Sequence, residues 1–345
     1  MSKSNTISNL QAIKYHRVFS RQQQIYERYA AKQFYKTLKS QIKQFIDIAR
    51  TYPSGMEQQA TNEISSKELA GIYKKVAIRV GNGFARITQA EITAEETGEK
   101  SLFGHYHRDA AMMQAHDWIW NPYESKDVQS DFKDLINAYL RLYGADKING
   151  ITDTTRKWII EQIIRGQRNN LSFDRVASMM LNSEITANRA MMIARTETVK
   201  FMNLGRFLAA EKSNFEKDKV WVSAHDARVR PGKRPGPFDH HDAHIQRTNL
   251  YNPFIVSGEK LMFPGDTSLG ASAGNVIRCR CSFALQSVRD ENGRLKVKPK
   301  MIVGENNLYG FPIEAEGVQF VRHLEDQVLI QQVLGMTFEQ LFENT

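Results

Sequence analysis

The chain has only two cysteines, Cys279 and Cys281, and they stand one residue apart, so no disulfide framework can be built from them. Long apolar runs are missing too. No stretch reaches the roughly eighteen consecutive apolar residues that a membrane-spanning helix needs, and the start, MSKSNTISNLQAIKYHR, lacks the apolar centre of a secretory signal. The protein is therefore expected to stay where it is made. Nothing in the composition points to disorder, because 41% hydrophobic and 25% charged residues over 345 positions are ordinary for a soluble chain of about two domains.

Negative charge is what the first fifty residues lack. They hold ten Lys/Arg against Glu27 and Asp47 alone, which accounts for nearly all of the net +9. Written as a helix, Phe34, Leu38, Ile42, Phe45 and Ala49 recur at spacings of three and four, while Lys32, Lys36, Lys39 and Lys43 line another face. Such a helix packs through one face and offers cations on the other. A row of this kind is either solvated surface or a contact for an acidic partner or for nucleic acid, whose phosphates release counterions to clustered cations. The segment has no Trp to anchor it at a membrane surface.

The helical pattern continues through residue 212. Pro53-Ser54-Gly55 marks a break, Ser65 to Glu68 reads as a capping box, and Gly81 and Gly83 are expected to interrupt the helix that follows. His105, His107 and His116 lie among aromatics with few carboxylates and no cysteine nearby, so a metal site is not expected there; Trp118 and Trp120 read as a packed loop. A helix from about 132 is expected to stop at Gly144, a second to run from Asp153 or Thr154 to Gly166, Ser172 to cap a short helix, and Thr186 to cap a longer one. Short helix, turn and longer helix also suit a DNA-reading motif, but the apolar seam of the longer helix runs its whole length. Packing explains it better than a groove, with Arg189, Arg195, Lys200 and Arg206 on its polar side.

After Phe215 the texture changes to short β-like runs, KVWVSA, FIVSGEKLMF and NVIRCRCSFAL, divided by Gly, Pro, Asn and Asp. In the last run, a regular strand would put Cys279 and Cys281 on one side and Arg278 and Arg280 on the other. The motifs from Ile193 to Phe283 come in a definite order. Arg195-Thr196-Glu197 is followed by Asn203 and Gly205, then Trp221, Asp226-x-Arg228-x-Arg230, His241, Phe254, Gly258, Pro264-Gly265-Asp266 and Cys279-Arg280-Cys281. No one of these is specific, but the ordered set resembles the phage Mu F-like minor head protein family, the head morphogenesis family of tailed phages, over roughly residues 150 to 285. Two departures stand out: the insertion PGKRPGPFD (231 to 239) before the His, and Arg278 where the family is expected to have Asn.

That resemblance implies a non-enzymatic minor capsid protein of the virion. It would be associated with the portal and the capsid interior, in contact with capsid or scaffold proteins, would help head assembly, and could touch packaged DNA. The alternative is a metal-dependent nuclease or other metal-site enzyme. His240 and His244 would share a helical face and could join Cys279 and Cys281 around a zinc ion, and Asp239-His240-His241 with Asn249 faintly echoes a metal nuclease motif. Because Cys-x-Cys on a regular strand grips a metal poorly, the cysteines are expected to be buried small hydrophobes with no cofactor. A thiol nucleophile formed by Cys279 with His241 and Asp226 is less expected still.

The expected class is α+β, with a mainly helical first two-thirds. The segments are a basic helical one (1-60), a helical region (61-150), the helical part of the motif region (151-212), its α+β part (213-300) and a tail (301-345) ending in a helix over DQVLIQQVLGMTFEQLFEN. Glu197 falls in the apolar seam of the long helix, so it should be buried and paired, with Arg228, Arg230, Arg278 and Arg280 as candidate partners.

Overall fold

The structure is a computed structural model that describes residues 8–51, 66–98, 131–182, 184–224, 226–231, 237–298 and 316–334. The expectations for Pro53 to Ser65, for His105, His107, His116, Trp118 and Trp120, and for the end of the terminal helix lie outside the described residues.

Among the described residues, five helices come first: α1 (Asn9–Thr51), α2 (Lys67–Thr97), α3 (Asp131–Arg168), α4 (Phe173–Asn182) and α5 (Glu184–Glu211). A three-stranded antiparallel sheet follows, with β1 (Lys217–Val222) between β2 (Arg247–Asn249) and β5 (Ser282–Ser287). A hairpin of β3 (Phe254–Val256) and β4 (Glu259–Leu261), a single turn α6 (Ala273–Val276) and a final helix α7 (Glu316–Leu334) complete it. The class is α+β, and the described residues before Glu211 are mainly helical, as the sequence pattern indicates. No described helix is long and apolar enough to cross a membrane.

At the centre lies α5, packed chiefly on α1 and α2. Its residues from Phe201 to Glu211 are all buried. Two small residues allow the close approach: a Cβ on Gly205 would fall 2.1 Å from the Gly81 carbonyl oxygen of α2, and one on Gly81 would meet Ile136 of α3 at 2.8 Å. Gly81 and Gly83 therefore do not interrupt α2. They are contact points inside a continuous helix, where the missing side chain lets backbones touch. Gly144 likewise lies buried within α3, which runs unbroken through Asp153 to Arg168. An interior glycine costs about 1 kcal/mol relative to Ala, which the packing of α3 on its neighbours outweighs.

The expected caps fare unevenly. Ser172 does cap α4, its hydroxyl accepting from the Arg175 N–H at 3.3 Å. Ser66 precedes α2, but its hydroxyl turns to Asn149 and Thr152 of α3. Thr186 is inside α5, where it donates to the Met180 carbonyl at 2.8 Å and so ties α5 to α4.

One hydrophobic cluster runs through α1, α2, α3, α5, the sheet, the hairpin and α7. The inner half of α7 begins ten residues before the expected terminal helix and packs on α3, with Phe320 against Tyr139, Tyr143, Phe207 and Phe263. A smaller cluster joins the end of α1 (Ile42, Phe45, Ile46) to Ile159 and Ile163 of α3 and to Val176 and Met180 of α4. The expected apolar stripe of α1, from Phe34 to Ala49, is buried as read, and Lys32, Lys36, Lys39 and Lys43 are exposed.

Candidate functional site

Successive residues on a helix point about 100° apart, and three neighbours on α5 use this to reach three different elements. Arg195 turns to α1, its Nε 3.3 Å from Glu27 Oε1. Thr196 turns to the β part, its hydroxyl accepting from the Arg278 backbone N–H at 3.0 Å. Glu197 turns to α2, where it accepts from the Tyr73 hydroxyl, and it also takes Lys200 Nζ at 2.5 Å. Lys200 Nζ is in turn 3.0 Å from the Tyr73 oxygen. Burial and the adjacent Glu197 charge push the Tyr73 phenol well above the usual tyrosine range.

Glu197 is thus buried and paired as expected, but its partner is a lysine one turn along its own helix rather than Arg228, Arg230, Arg278 or Arg280. Those four lie on loops of the β part that brace one another. The helical and β halves are joined instead by Thr196, and by Asn203, whose amide donates to the Pro264 and Cys281 carbonyls at 3.0 and 3.3 Å. The polar-side assignment of α5 fails for Lys200 and Arg206, both buried. Arg206 sits over Tyr15 at 4.4 Å and Phe84 at 4.8 Å, and donates to the Phe283 carbonyl at 2.8 Å. Burial pushes its guanidinium down to about 9, so it stays charged at neutral pH.

The remaining motif residues close loops onto this frame. Asp226 takes both of its oxygens to Arg280 at 2.8 and 2.6 Å and accepts the Arg228 N–H at 2.9 Å. Burial opposes ionisation there, but these donors hold its carboxyl below the usual range. Arg230 donates to the Asn275 carbonyl at 2.9 Å and to that of Ile277, whereas the Arg228 side chain is largely exposed. In the Pro264-Gly265-Asp266 turn, Gly265 has φ 87° and lies against the Lys200 backbone. Asp266 is fully buried, accepting from the Met262 N–H at 3.0 Å and the Ser268 N–H at 2.9 Å.

Around Trp221 the geometry departs from the sequence reading. The cysteines are not on a regular strand: β5 begins at Ser282, and Arg278 ahead of them has φ 58°. That left-handed turn, which Asn adopts more readily than Arg, swings both sulfurs inward. His240, not His241, meets them, with Nδ1 3.8 Å from Cys279 Sγ and 3.5 Å from Cys281 Sγ. His240 packs edge-on to Trp221. His241 is exposed, and His244 accepts the Ser223 N–H at 3.2 Å, so the pairing of His240 and His244 that the alternative metal reading needs does not form. The 239–245 segment is turns rather than helix.

A cleft of about 290 Å³ opens between α3, α5 and the 273–277 turn, and reaches Lys147, Arg189, Thr196, Glu197 and Lys200. None of His240, Cys279 and Cys281 lines it, and all three are at most 2% exposed. Sequence periodicity missed Lys219, which is buried in β1 with Nζ 2.6 Å from the Met262 carbonyl and 4.9 Å from the Phe254 ring centre. Its only sequence signal was its place between Lys217 and Val220 on the inward side of a strand.

The motif side chains thus hold helices, turns and strands to one another where the helical and β parts meet. Residues 153–284 match the family model described as Phage Mu protein F like protein, so over that part the chain is similar to this family. No curated protein and no solved structure matches the chain.

Proposed function

We propose that the chain is a minor head protein of a tailed phage that acts in head assembly at the portal and capsid interior, with α1 as its docking face. The match of residues 153–284 to the phage Mu F-like family carries the head-assembly part of this reading. What supports the docking part is the outer face of α1. Arg17, Arg21 and Arg28 continue the row of Lys32, Lys36, Lys39 and Lys43, and all seven are exposed. At 100° and 1.5 Å per residue they fall within an arc of about 100° along about 40 Å. A cationic ridge of that length fits the phosphates of packaged DNA or an acidic partner surface.

The virion would then be the protein's location, and portal, capsid or scaffold proteins its partners. The metal-dependent nuclease reading finds less support. His240 is 1% exposed, and His244 is turned to the Ser223 N–H, so these two do not form a solvent-facing pair that could hold a catalytic ion. The test is co-purification of the full chain with its portal protein from cells making both, repeated with Lys32, Lys36, Lys39 and Lys43 all changed to Glu. Retention by the native chain and loss by the variant is expected. Failure of the native chain to associate with portal, capsid or scaffold would remove the assembly reading.

A further inference from the structure

We propose that His240, Cys279 and Cys281 bind one zinc ion, through His240 Nδ1 and the two sulfurs, and that the ion staples the 239–245 turns to the loop entering β5. The three ligand atoms lie within 4.8 Å of one another, and all three residues are buried. With Zn–S near 2.3 Å and Zn–N near 2.05 Å at a tetrahedral angle, nitrogen and sulfur should be about 3.6 Å apart. The two separations here are 3.8 and 3.5 Å.

The surroundings prepare the histidine for this. The Asn275 amide nitrogen is committed to the Val256 carbonyl at 3.1 Å and to Glu259 at 2.9 Å, so its oxygen must be what faces His240 Nε2 at 2.6 Å. That oxygen can only accept, which puts the proton on Nε2 and leaves the Nδ1 lone pair aimed at the two sulfurs in the neutral ring. An outer partner that fixes the tautomer in this way is the usual support of a metal-bound imidazole. The sulfurs are prepared as well, since the Cys281 N–H points at Cys279 Sγ from 3.5 Å, a contact that favours a thiolate. A closely placed His, Cys and Asn could also serve nucleophilic catalysis. That use would require one exposed sulfur at the end of a cleft, whereas here two buried sulfurs flank one nitrogen and neither lines the cleft beside the 273–277 turn. The bend at Arg278 supplies what a regular Cys-x-Cys strand lacks, namely both sulfurs turned to the same point. Three protein donors leave one position for a water.

Full-length protein should be purified under reducing conditions without added metal or chelator and analysed for its elements. About one zinc per chain is expected, falling to a background level in Cys279→Ser/Cys281→Ser and in His240→Ala but unchanged in His244→Ala. Zinc retained by the double-cysteine variant, a different metal, or no metal would overturn the site. If the cysteine variants fail to fold, the wild-type chain decides. After mild removal of metal, cobalt(II) should give a sulfur-to-cobalt charge-transfer band that saturates at one equivalent and is displaced by zinc. A folded, reduced protein that gives no such band would equally reject the proposal.

Discussion

The helices α1 and α5 carry similar side chains and put them to opposite use. Along α1 the row of cations from Arg17 to Lys43 stands on one exposed face and the apolar residues on the other, with the acidic Glu27 turned inward to Arg195. The second half of α5 is buried on every side, and Glu197, Lys200 and Arg206 are interior groups that meet Tyr73, each other, or a ring of aromatics. The exposed lysines of α1 cost nothing to solvate. A charged residue buried on α5 must find its partner inside, because a buried charge without one is penalised by several kcal/mol. The same substitution should therefore mean little on one helix and a great deal on the other.

The largest effect is expected at Glu197. Replacing it by Ala strands Lys200 and the Tyr73 hydroxyl in the interior, which should destabilise the protein by about 3–5 kcal/mol, measured by urea unfolding. Adding Lys200→Met should recover a large part of that loss, because the second change removes the stranded cation, and contacting residues are not additive. A loss below about 1 kcal/mol for Glu197→Ala, the value of an exposed pair, would break the contrast between the two helices.

How far the sequence carries this contrast depends on whether a feature repeats. The face of α1 was legible because its apolar residues recur at helical spacing, and the burial of Glu197 was legible because it falls in such a seam. Its partner was not. Spacing says which side a carboxylate faces but not which of several cations reaches it, and Lys200 lies three residues away on the same helix. Glycine was misread at 81, 83 and 144 for a related reason: a missing side chain signals a helix end or a close contact equally well, and only the packed neighbour decides, Gly205 against Gly81 or Tyr26 against Gly83. The His–Cys cluster was half legible. The residue types were named, but the left-handed backbone at Arg278 that turns them together leaves no trace in residue order, and nothing in Asp239-His240-His241 tells which ring faces inward.

The rule drawn from α5 extends to β1, with a smaller effect that pH can expose. Burial, opposed in part by the Asp266 charge, pushes the Lys219 amine from 10.5 down to about 7. Between those two values the unfolded chain holds the proton and the folded one does not, so stability should rise with pH across that window, by up to about 1.4 kcal/mol per pH unit. Below about 7 both states are protonated and the contribution is constant at its least favourable value. Unfolding midpoints measured from pH 7 to 9.5 should show this rise, and Lys219→Met should flatten it. An unchanged slope in the variant would mean that another group carries the pH dependence.

The smallest stability effect belongs to α1, and there it is the binding that should respond. Changing Lys32, Lys36, Lys39 and Lys43 together to Gln touches only exposed positions, so each should shift stability by less than about 0.5 kcal/mol. Deleting residues 1–50 would be a poorer test, since it would also remove Phe34, Leu38, Ile42 and Phe45 from the core. If the ridge lies on DNA, the logarithm of affinity falls with the logarithm of salt by about 0.9 for each phosphate neutralised. Four lost cations should then flatten the slope by up to about 3.6. The arginines at 17, 21 and 28 remain in the variant, so binding should weaken and become less salt-dependent without vanishing. A variant as stable as the native chain with an unaltered slope would take DNA off this face. If it also lost the portal, the cations of α1 would serve an acidic protein surface, and the outward charge of this helix would still be functional.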